Sequence, residues 1–395
     1  MNAALADSLV NLAAHPIAWP LARALRRAGP AVHVPWLGLV INDAALARDV
    51  LVRGAEFTKN GRGSIAAQMT AALGPTALGN MDGDAHRALR ATLADLFAPA
   101  EARRLLGGCE APVVGLQEAL GRGETVDLVR FMRVLSGRVT FGMLGIPLPA
   151  DDPDAACLEL LALGERIAAG ISLRPGRVGM SEGMTRDCAR LAALARAGYD
   201  GAASGGSLVA RLRLLGLSVE EARGVISLVF LAGTITTAAS LPRIVALLVD
   251  SGQQGAARGE GGVARAVAEA LRCIAPVPAT VRIASCDTTL GGRKVAAGTR
   301  LVLLTCNAAR DAALFPHPDR FDAGRVHDAR ARHLWYGAGA HFCLGFAVAQ
   351  RQLGMMVEAV LCLGRPLEIA HRRPGGRGLV AAYRRLDVRL APGPA

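Results

Sequence analysis

The sequence predicts a mainly α-helical chain, and three observations carry that reading. First, Ser218-Val219-Glu220-Glu221 is a capping box, in which serine and glutamate satisfy each other's free backbone N–H groups at a helix start. It opens a stretch to about residue 250, a helix ~48 Å long at about 1.5 Å per residue. The middle of that stretch, Val225 to Leu231, is apolar on nearly every side, which predicts burial, and Pro242 predicts a bend. Second, another long apolar stretch of helical character covers residues 344–361. Third, Glu269 and Arg272 stand three apart and His86 and Arg90 four apart, spacings that put each pair on one helix face.

The second helix begins at the most informative segment, Trp335-Tyr336-Gly337-Ala338-Gly339-Ala340-His341-Phe342-Cys343-Leu344-Gly345. A cysteine among apolar residues is usually inert core. Here glycines permit a tight turn and close approach to a flat ligand. The following helix aims free N–H groups and its positive end back at the sulfur, which favours thiolate. An anionic sulfur so held is suited to be the axial ligand of a haem iron.

This segment resembles the haem-binding signature of the cytochrome P450 family, Phe-Gly-x-Gly-x-His-x-Cys-x-Gly, with Tyr336 where the family usually has Phe. The resemblance runs from about residue 57 to the C-terminus. Glu269-Ala270-Leu271-Arg272 matches the family's Glu-x-x-Arg, and Arg325 of Phe321-Asp322-Ala323-Gly324-Arg325 matches the arginine that joins them. Alone, the Glu269/Arg272 pair would read as a surface ion pair of little worth. The resemblance implies a structural role instead. His86, Arg90, Arg282 and His333 match contacts to the haem propionates, and Tyr336, Gly337 and Gly339 belong to the loop that carries Cys343. Buried propionates without partners would be very costly, so several basic groups make physical sense. Asp287, Gly291, Gly298, residues 307–311, Phe315, Pro318 and Phe321 follow the family's spacing from strand to meander. The implied fold is an α-rich prism with small β-sheet regions. In it the haem lies between a long distal helix and the proximal cysteine loop and helix.

On the long helix, Ala232-Gly233-Thr234-Ile235-Thr236-Thr237 aligns with the family's Ala-Gly-x-(Asp/Glu)-Thr-Thr. The resemblance implies that Gly233 leaves room over the iron and that Thr236 helps deliver protons. A threonine here could equally bond back to its own helix. Ile235 departs from the pattern: the usual acid is absent, and no other acidic residue lies between Glu221 and Asp250. Ordered water with Thr236, a polar group on the substrate, or a reaction without standard proton delivery would each account for it.

By family position, the substrate pocket is expected to draw on residues 61–80, through Met69, Leu73 and Leu78. The mid-helix residues Phe230 and Ala232 are a second part, and Ala279 and Val281 of residues 278–283 a third, with Leu379 and Val380 nearby. Nearly all are apolar, which suits a hydrophobic substrate such as a terpenoid, polyketide, steroid or fatty-acid-derived molecule.

Composition narrows the alternatives. A chain of 395 residues with 52% hydrophobic content buries a large core, and the Gly-rich stretches 199–207 and 251–262 are too short to divide it convincingly. A single domain over residues 1–395 is expected. The net charge of +12 comes almost wholly from arginine; only Lys59 and Lys294 are lysine. With no recognition motif and 4% aromatic residues, nucleic-acid binding is not expected. A basic face for an acidic electron-transfer protein is, through Arg87, Arg103, Arg104 and Arg351, with Arg90 turned inward. The eight cysteines include no Cys-x-x-Cys and no Cys-x-x-Cys-His, against zinc ribbons and covalently attached haem. Cys109, Cys157, Cys188, Cys273, Cys286, Cys306 and Cys362 are expected to pack as reduced small hydrophobes. Asp7, His15, Pro16, Pro20 and Arg23 interrupt the N-terminal apolar residues, well short of the ~20 needed for a membrane span.

The resemblance therefore implies a soluble, cytoplasmic, monomeric haem-thiolate monooxygenase of bacterial type. It would draw electrons from NAD(P)H through a ferredoxin, activate O2 on haem, and hydroxylate or epoxidise a hydrophobic molecule. Ile235 supports an atypical alternative: desaturation, ring formation or peroxide-driven turnover. A non-catalytic haem- or ligand-binding protein is a second alternative.

Overall fold

The computed structural model describes residues 2–61, 64, 66–170, 180–201, 207–328 and 333–392. Positions 62, 63 and 65 of the expected pocket loop, and 202–206 of the first Gly-rich stretch, lie outside them.

The long helix is Val219–Asp250. Both halves of its capping box form: the Glu221 N–H donates to Ser218 Oγ, and the Ser218 N–H donates to Glu221 Oε2 at 2.8 Å. The helix runs through Pro242 without interruption. Among the described residues it is the stretch long and apolar enough to cross a membrane, and 72% of its most apolar window is buried inside the fold. Its second half forms the main core with helices Leu128–Leu144, Gly262–Ile274 and Phe346–Leu361, through Leu241, Ile244, Met132, Leu271, Leu353 and Met356. Arg243, on this same half, is buried; its guanidinium bonds Asp7 at 2.6 and 2.9 Å and Asn11 at 3.2 Å. That pair fastens the first helix, Ala3–Ala14, to the long one, as a buried charge demands.

The strands are few and short, as the small β regions require. They are β1 (Ala31–Val34), β2 (Gly38–Ile41), β3 (Phe57–Thr58), β4 (Val126–Asp127), β5 (Thr280–Ala284), β6 (Thr288–Leu290), β7 (Arg293–Val295), β8 (Arg300–Leu303), β9 (Leu367–Pro374) and β10 (Tyr383–Leu390). One sheet has the order β1-β2-β8-β5-β3, with β2 and β8 parallel and the other pairs antiparallel. A second has the order β4-β10-β9, and β6–β7 is a hairpin turned at Gly291 and Gly292, both left-handed. The first sheet matters most for the site. Pairing of Thr58 with Ile283 sets Lys59 beside the Arg282 strand.

Several expectations need correction. The helix after the cysteine starts at Phe346, not 344, because Gly345 caps it and residues 343–345 turn first. Tyr199 is not in a loop but in helix Glu182–Gly201, where its hydroxyl donates to the Leu217 carbonyl at 2.7 Å. Residues 251–262 contain a short 3-10 turn, and Gly262 opens the next helix. Cys109, Cys157, Cys188, Cys273 and Cys306 are buried thiols as expected, but Cys286 and Cys362 are exposed.

Candidate active site

A cavity of about 440 Å³ lies between the long helix and the cysteine loop. The loop is built by its glycines. Gly337 and Gly339 take φ of +83° and +64°, and a Cβ on Gly339 would sit 2.4 Å from the Leu51 carbonyl oxygen. Only glycine allows both the left-handed turn and that close backbone approach. The Cys343 N–H donates to the Tyr336 carbonyl at 3.0 Å, closing the loop. The hydroxyl that distinguishes Tyr336 from phenylalanine accepts from Gln350 Nε2 at 3.1 Å, so the substitution carries its own partner. Tyr336, Phe342 and Phe346 pack as an aromatic cluster with centroids 5.0–6.4 Å apart.

Cys343 lines the cavity. Burial pushes its thiol up; the Gly345 N–H and the charge of Arg90 pull it back. The helix-start effect expected from the sequence is present but weaker than the desolvation, so a cation at the sulfur is what would hold it as thiolate. Arg90 donates to the Phe342 carbonyl at 2.6 Å and thereby touches the loop directly.

One end of the cavity is basic. Lys59, His86, Arg90, Arg282 and His341 line it. His86 and His341 stack with centroids 4.2 Å apart, and His341 Nε2 lies 3.4 Å from Asp82 Oδ1. Burial brings His86 down to about 4, and burial also lowers His341, so both rings are neutral near pH 7. Burial lowers Arg282 to about 10. Among the described residues its guanidinium donates to Thr280 Oγ1 and to the Val281 carbonyl, at 3.2 and 2.9 Å, and to no carboxylate. His86 Nε2 is buried with no hydrogen-bond partner among the described residues. Three of the four expected propionate contacts, His86, Arg90 and Arg282, therefore meet at this end. The fourth does not. His333 packs its ring on Phe346 at 4.9 Å and on Trp335 at 5.8 Å and does not line the cavity. His341, Lys59 and Asp82 were not singled out from the sequence. The one signal was that His341 belongs to the Gly-x-Gly-x-His loop and Lys59 is one of two lysines.

The long helix presents Ala232, Gly233, Thr236 and Thr237 to the cavity. A Cβ on Gly233 would meet nothing within 4 Å, so open space lies over it. The Thr236 hydroxyl donates back to the Ala232 carbonyl at 2.6 Å, leaving its oxygen lone pairs as acceptors. Ile235 does not line the cavity; it packs against the cluster containing Leu160, Leu163, Ile167 and Phe230. On the same cavity wall Ser136 Oγ and Gln352 Nε2 are buried with no hydrogen-bond partner among the described residues.

The expected substrate-pocket residues divide. Leu78, Phe230 and Ala232 line the cavity, whereas Met69 and Leu73 belong to the core cluster behind it. Ala279 and Val281 pack instead with Trp19, Val40 and Ile283, and Leu379 and Val380 also lie off the wall. Leu93, Phe97, Val139 and Met143, not anticipated, do line it. The strand pleat explains Val281: its neighbour Arg282 takes the cavity side, which turns Val281 the other way.

Behind the loop, Glu269 is fully buried and accepts from Arg272 at 2.7 and 2.8 Å and Arg325 at 3.0 Å. His327, unanticipated, adds a fourth contact at 3.0 Å. Burial alone would raise Glu269, but the Arg272 and His327 hydrogen bonds and the arginine charges bring it to about 2.

These residues fit a haem. A single thiol, a wide apolar wall, open space at Gly233, and a basic end with an unsatisfied His86 Nε2 and an Arg282 that hydrogen-bonds no carboxylate among the described residues are its requirements. Comparisons agree. The family profile described as Cytochrome P450 matches residues 263–362. A 20-oxo-5-O-mycaminosyltylactone 23-monooxygenase of Streptomyces fradiae is 30% identical over 71% of this chain and 66% of its own length. A steroid C26-monooxygenase of Mycobacterium tuberculosis is 40% identical over 24% of this chain and 25% of its own length. The matched stretches thus span less than two thirds of either relative. The open form of the cytochrome P450 EryK from S. erythraea superposes with a TM-score of 0.75 at 25% identity, over 95% of this chain and 96% of that one. Glycine-built cysteine loop, buried Glu269–Arg272–Arg325 cluster and whole-chain superposition converge, and the chain belongs to the cytochrome P450 family.

Proposed function

We propose that the chain is a haem-thiolate monooxygenase that inserts one atom of O2 into a hydrophobic natural product or steroid-like molecule by hydroxylation or epoxidation. The observation that carries this is the single cavity shared by Cys343, the basic end and the Gly233–Thr236 face. When bound, haem supplies oxygen activation; the chain supplies the rest. Cys343 would ligate the iron, and His86, Arg90 and Arg282 would hold the propionates. Val139 and Phe230 would exclude water and bind apolar substrate, while Leu93 and Phe97, clustered with Leu344 and Val348, would close the cysteine side. Thr236, with its hydroxyl proton on the Ala232 carbonyl, would accept from a bound water and hold it where a proton is needed. The macrolide and steroid relatives favour a large apolar substrate.

Electrons would come from NAD(P)H through a ferredoxin-type donor on the arginine face. Arg103 and Arg351 are exposed there, while Arg87 and Arg104 pair with Asp84 and Glu101. We propose that the protein works as a soluble cytoplasmic monomer. A second reading, peroxide-driven or rearranging chemistry, is favoured by Ile235 lying off the cavity. The test is turnover of macrolide and steroid candidates with NADPH, ferredoxin and reductase, against turnover with hydrogen peroxide alone. Oxygenated product only in the first supports monooxygenation; product only in the second supports the peroxide reading.

A further inference from the structure

The basic end of the cavity holds one more cation than the resemblance accounts for. Lys59 follows β3, and its backbone is held by Asp82: its N–H donates to both carboxylate oxygens at 2.9 and 3.1 Å. Asn60 donates to the same carboxylate through its N–H and its side-chain amide, both at 2.9 Å. Through Asp82 this clamp reaches His341, which stacks on His86. On the other side, β3–β5 pairing puts Lys59 beside the Arg282 strand. Lys59 is half-buried and lines the cavity.

The charges at this end do not balance among the described residues. Among the described residues, Lys59, Arg90 and Arg282 are the amine and guanidinium groups that line it, no Asp or Glu lines it, and Asp82 is the carboxylate bonded into the cluster. With Lys59 as its ammonium and the two imidazoles left aside, three cations against one carboxylate leave an excess of two positive charges among the described residues. A ferric haem with its thiolate is neutral at the iron and carries two propionates, so the excess equals what the cofactor brings. Without Lys59 the excess falls to one positive charge against two propionates, so one buried carboxylate would lack a compensating charge.

We propose that Lys59 is a haem-holding residue of this chain: its ammonium pairs with a haem propionate alongside Arg282 and His341. This rests on the haem-thiolate reading above. Burial together with the Arg282 charge pushes the Lys59 ammonium down to about 7, the state of a cation set in a cluster still short of an anion. A chain with 43 arginines keeps one of its two lysines here, where the compact, flexible ammonium fits beside a planar guanidinium.

The test uses the holoprotein and two variants, Lys59→Met and Lys59→Arg. Haem transfer to apomyoglobin and the haem midpoint potential are measured, with far-UV circular dichroism confirming that each variant is folded. The expected result is haem transfer from Lys59→Met at least about tenfold faster than from the wild type, the size of a lost charged partner. Its midpoint potential should be lower, and Lys59→Arg should restore both. A folded Lys59→Met that takes up no haem, while Lys59→Arg does, supports the inference equally. Unchanged haem transfer and potential in Lys59→Met would overturn it. So would unchanged haem release with selectively weakened binding of hexadecanoic acid relative to its methyl ester, which would assign the ammonium to a substrate carboxylate. A wild-type chain that takes up no haem would overturn the haem-thiolate reading itself, and this inference with it.

Discussion

Glu269 and Arg272 form a bidentate ion pair at 2.7 and 2.8 Å with both side chains at 0% exposure, one helical turn apart. Arg272 also donates to the carbonyls of Ala309, Pro318 and Arg320, so the pair pins the irregular segment that leads to the cysteine loop. Breaking one partner leaves the others buried and uncompensated. Glu269→Gln should destabilise the fold by about 3–5 kcal/mol. Thermal denaturation should show a midpoint lower by roughly 5 °C, with haem released at lower temperature. A change under about 1 kcal/mol would mean the pair is solvated in solution.

The same carboxylate sets an acid limit. Its pKa falls from 4.5 when unfolded to about 2 in the fold. A depressed carboxyl stabilises fully above the unfolded value and loses that contribution as pH falls from 4.5 towards 2. The contribution is about 3 kcal/mol. Urea midpoints of the wild type should drop steeply across that window, and those of Glu269→Gln should drop less.

Thr236→Ala should raise hydrogen peroxide released per NADPH several-fold while leaving substrate binding in place. The hydroxyl's acceptor lone pairs face the cavity, and alanine removes them without disturbing the helix. Unchanged coupling between NADPH and product would remove Thr236 from the proton path.

Ile235→Asp should not install the missing acid. The side chain packs among Leu160, Leu163 and Ile167, away from the cavity, so a carboxylate there is desolvated. The expected cost is about 2–4 kcal/mol, seen as a lower melting temperature with no gain in coupling. Better coupling at full stability would mean that water reaches this position.

Arg103→Glu and Arg351→Glu should slow reduction by ferredoxin and flatten its dependence on ionic strength, because steering by exposed charge acts on the encounter rate. The effect of the pair should be about tenfold at low salt. Equal rates in wild type and variant would place the donor on another face.

How much of this was legible in the sequence depended on the distance over which each pattern is written. The capping box of the long helix, the Glu269/Arg272 pair and the cysteine loop lie within a few residues, where helix period and turn chemistry are read directly. Asp82 and His341 are 259 residues apart, and Lys59 meets Arg282 only through strand pairing. Nothing local marks such residues as partners. The pocket residues Met69 and Leu73 went astray for another reason. An apolar side chain on a buried helix reads the same whether it faces a cavity or the core cluster behind it. Ser136 and Gln352 lacked any signal, since their meaning is the partner they do not have.

The most direct test of the central claim is the difference spectrum of the dithionite-reduced protein with carbon monoxide, recorded for the wild type and for Cys343→Ser. Thiolate ligation by Cys343 gives a strongly red-shifted Soret band in the wild type that disappears in Cys343→Ser. A band at the shorter wavelength of haem with a neutral ligand, or a red-shifted band that survives the substitution, would contradict it.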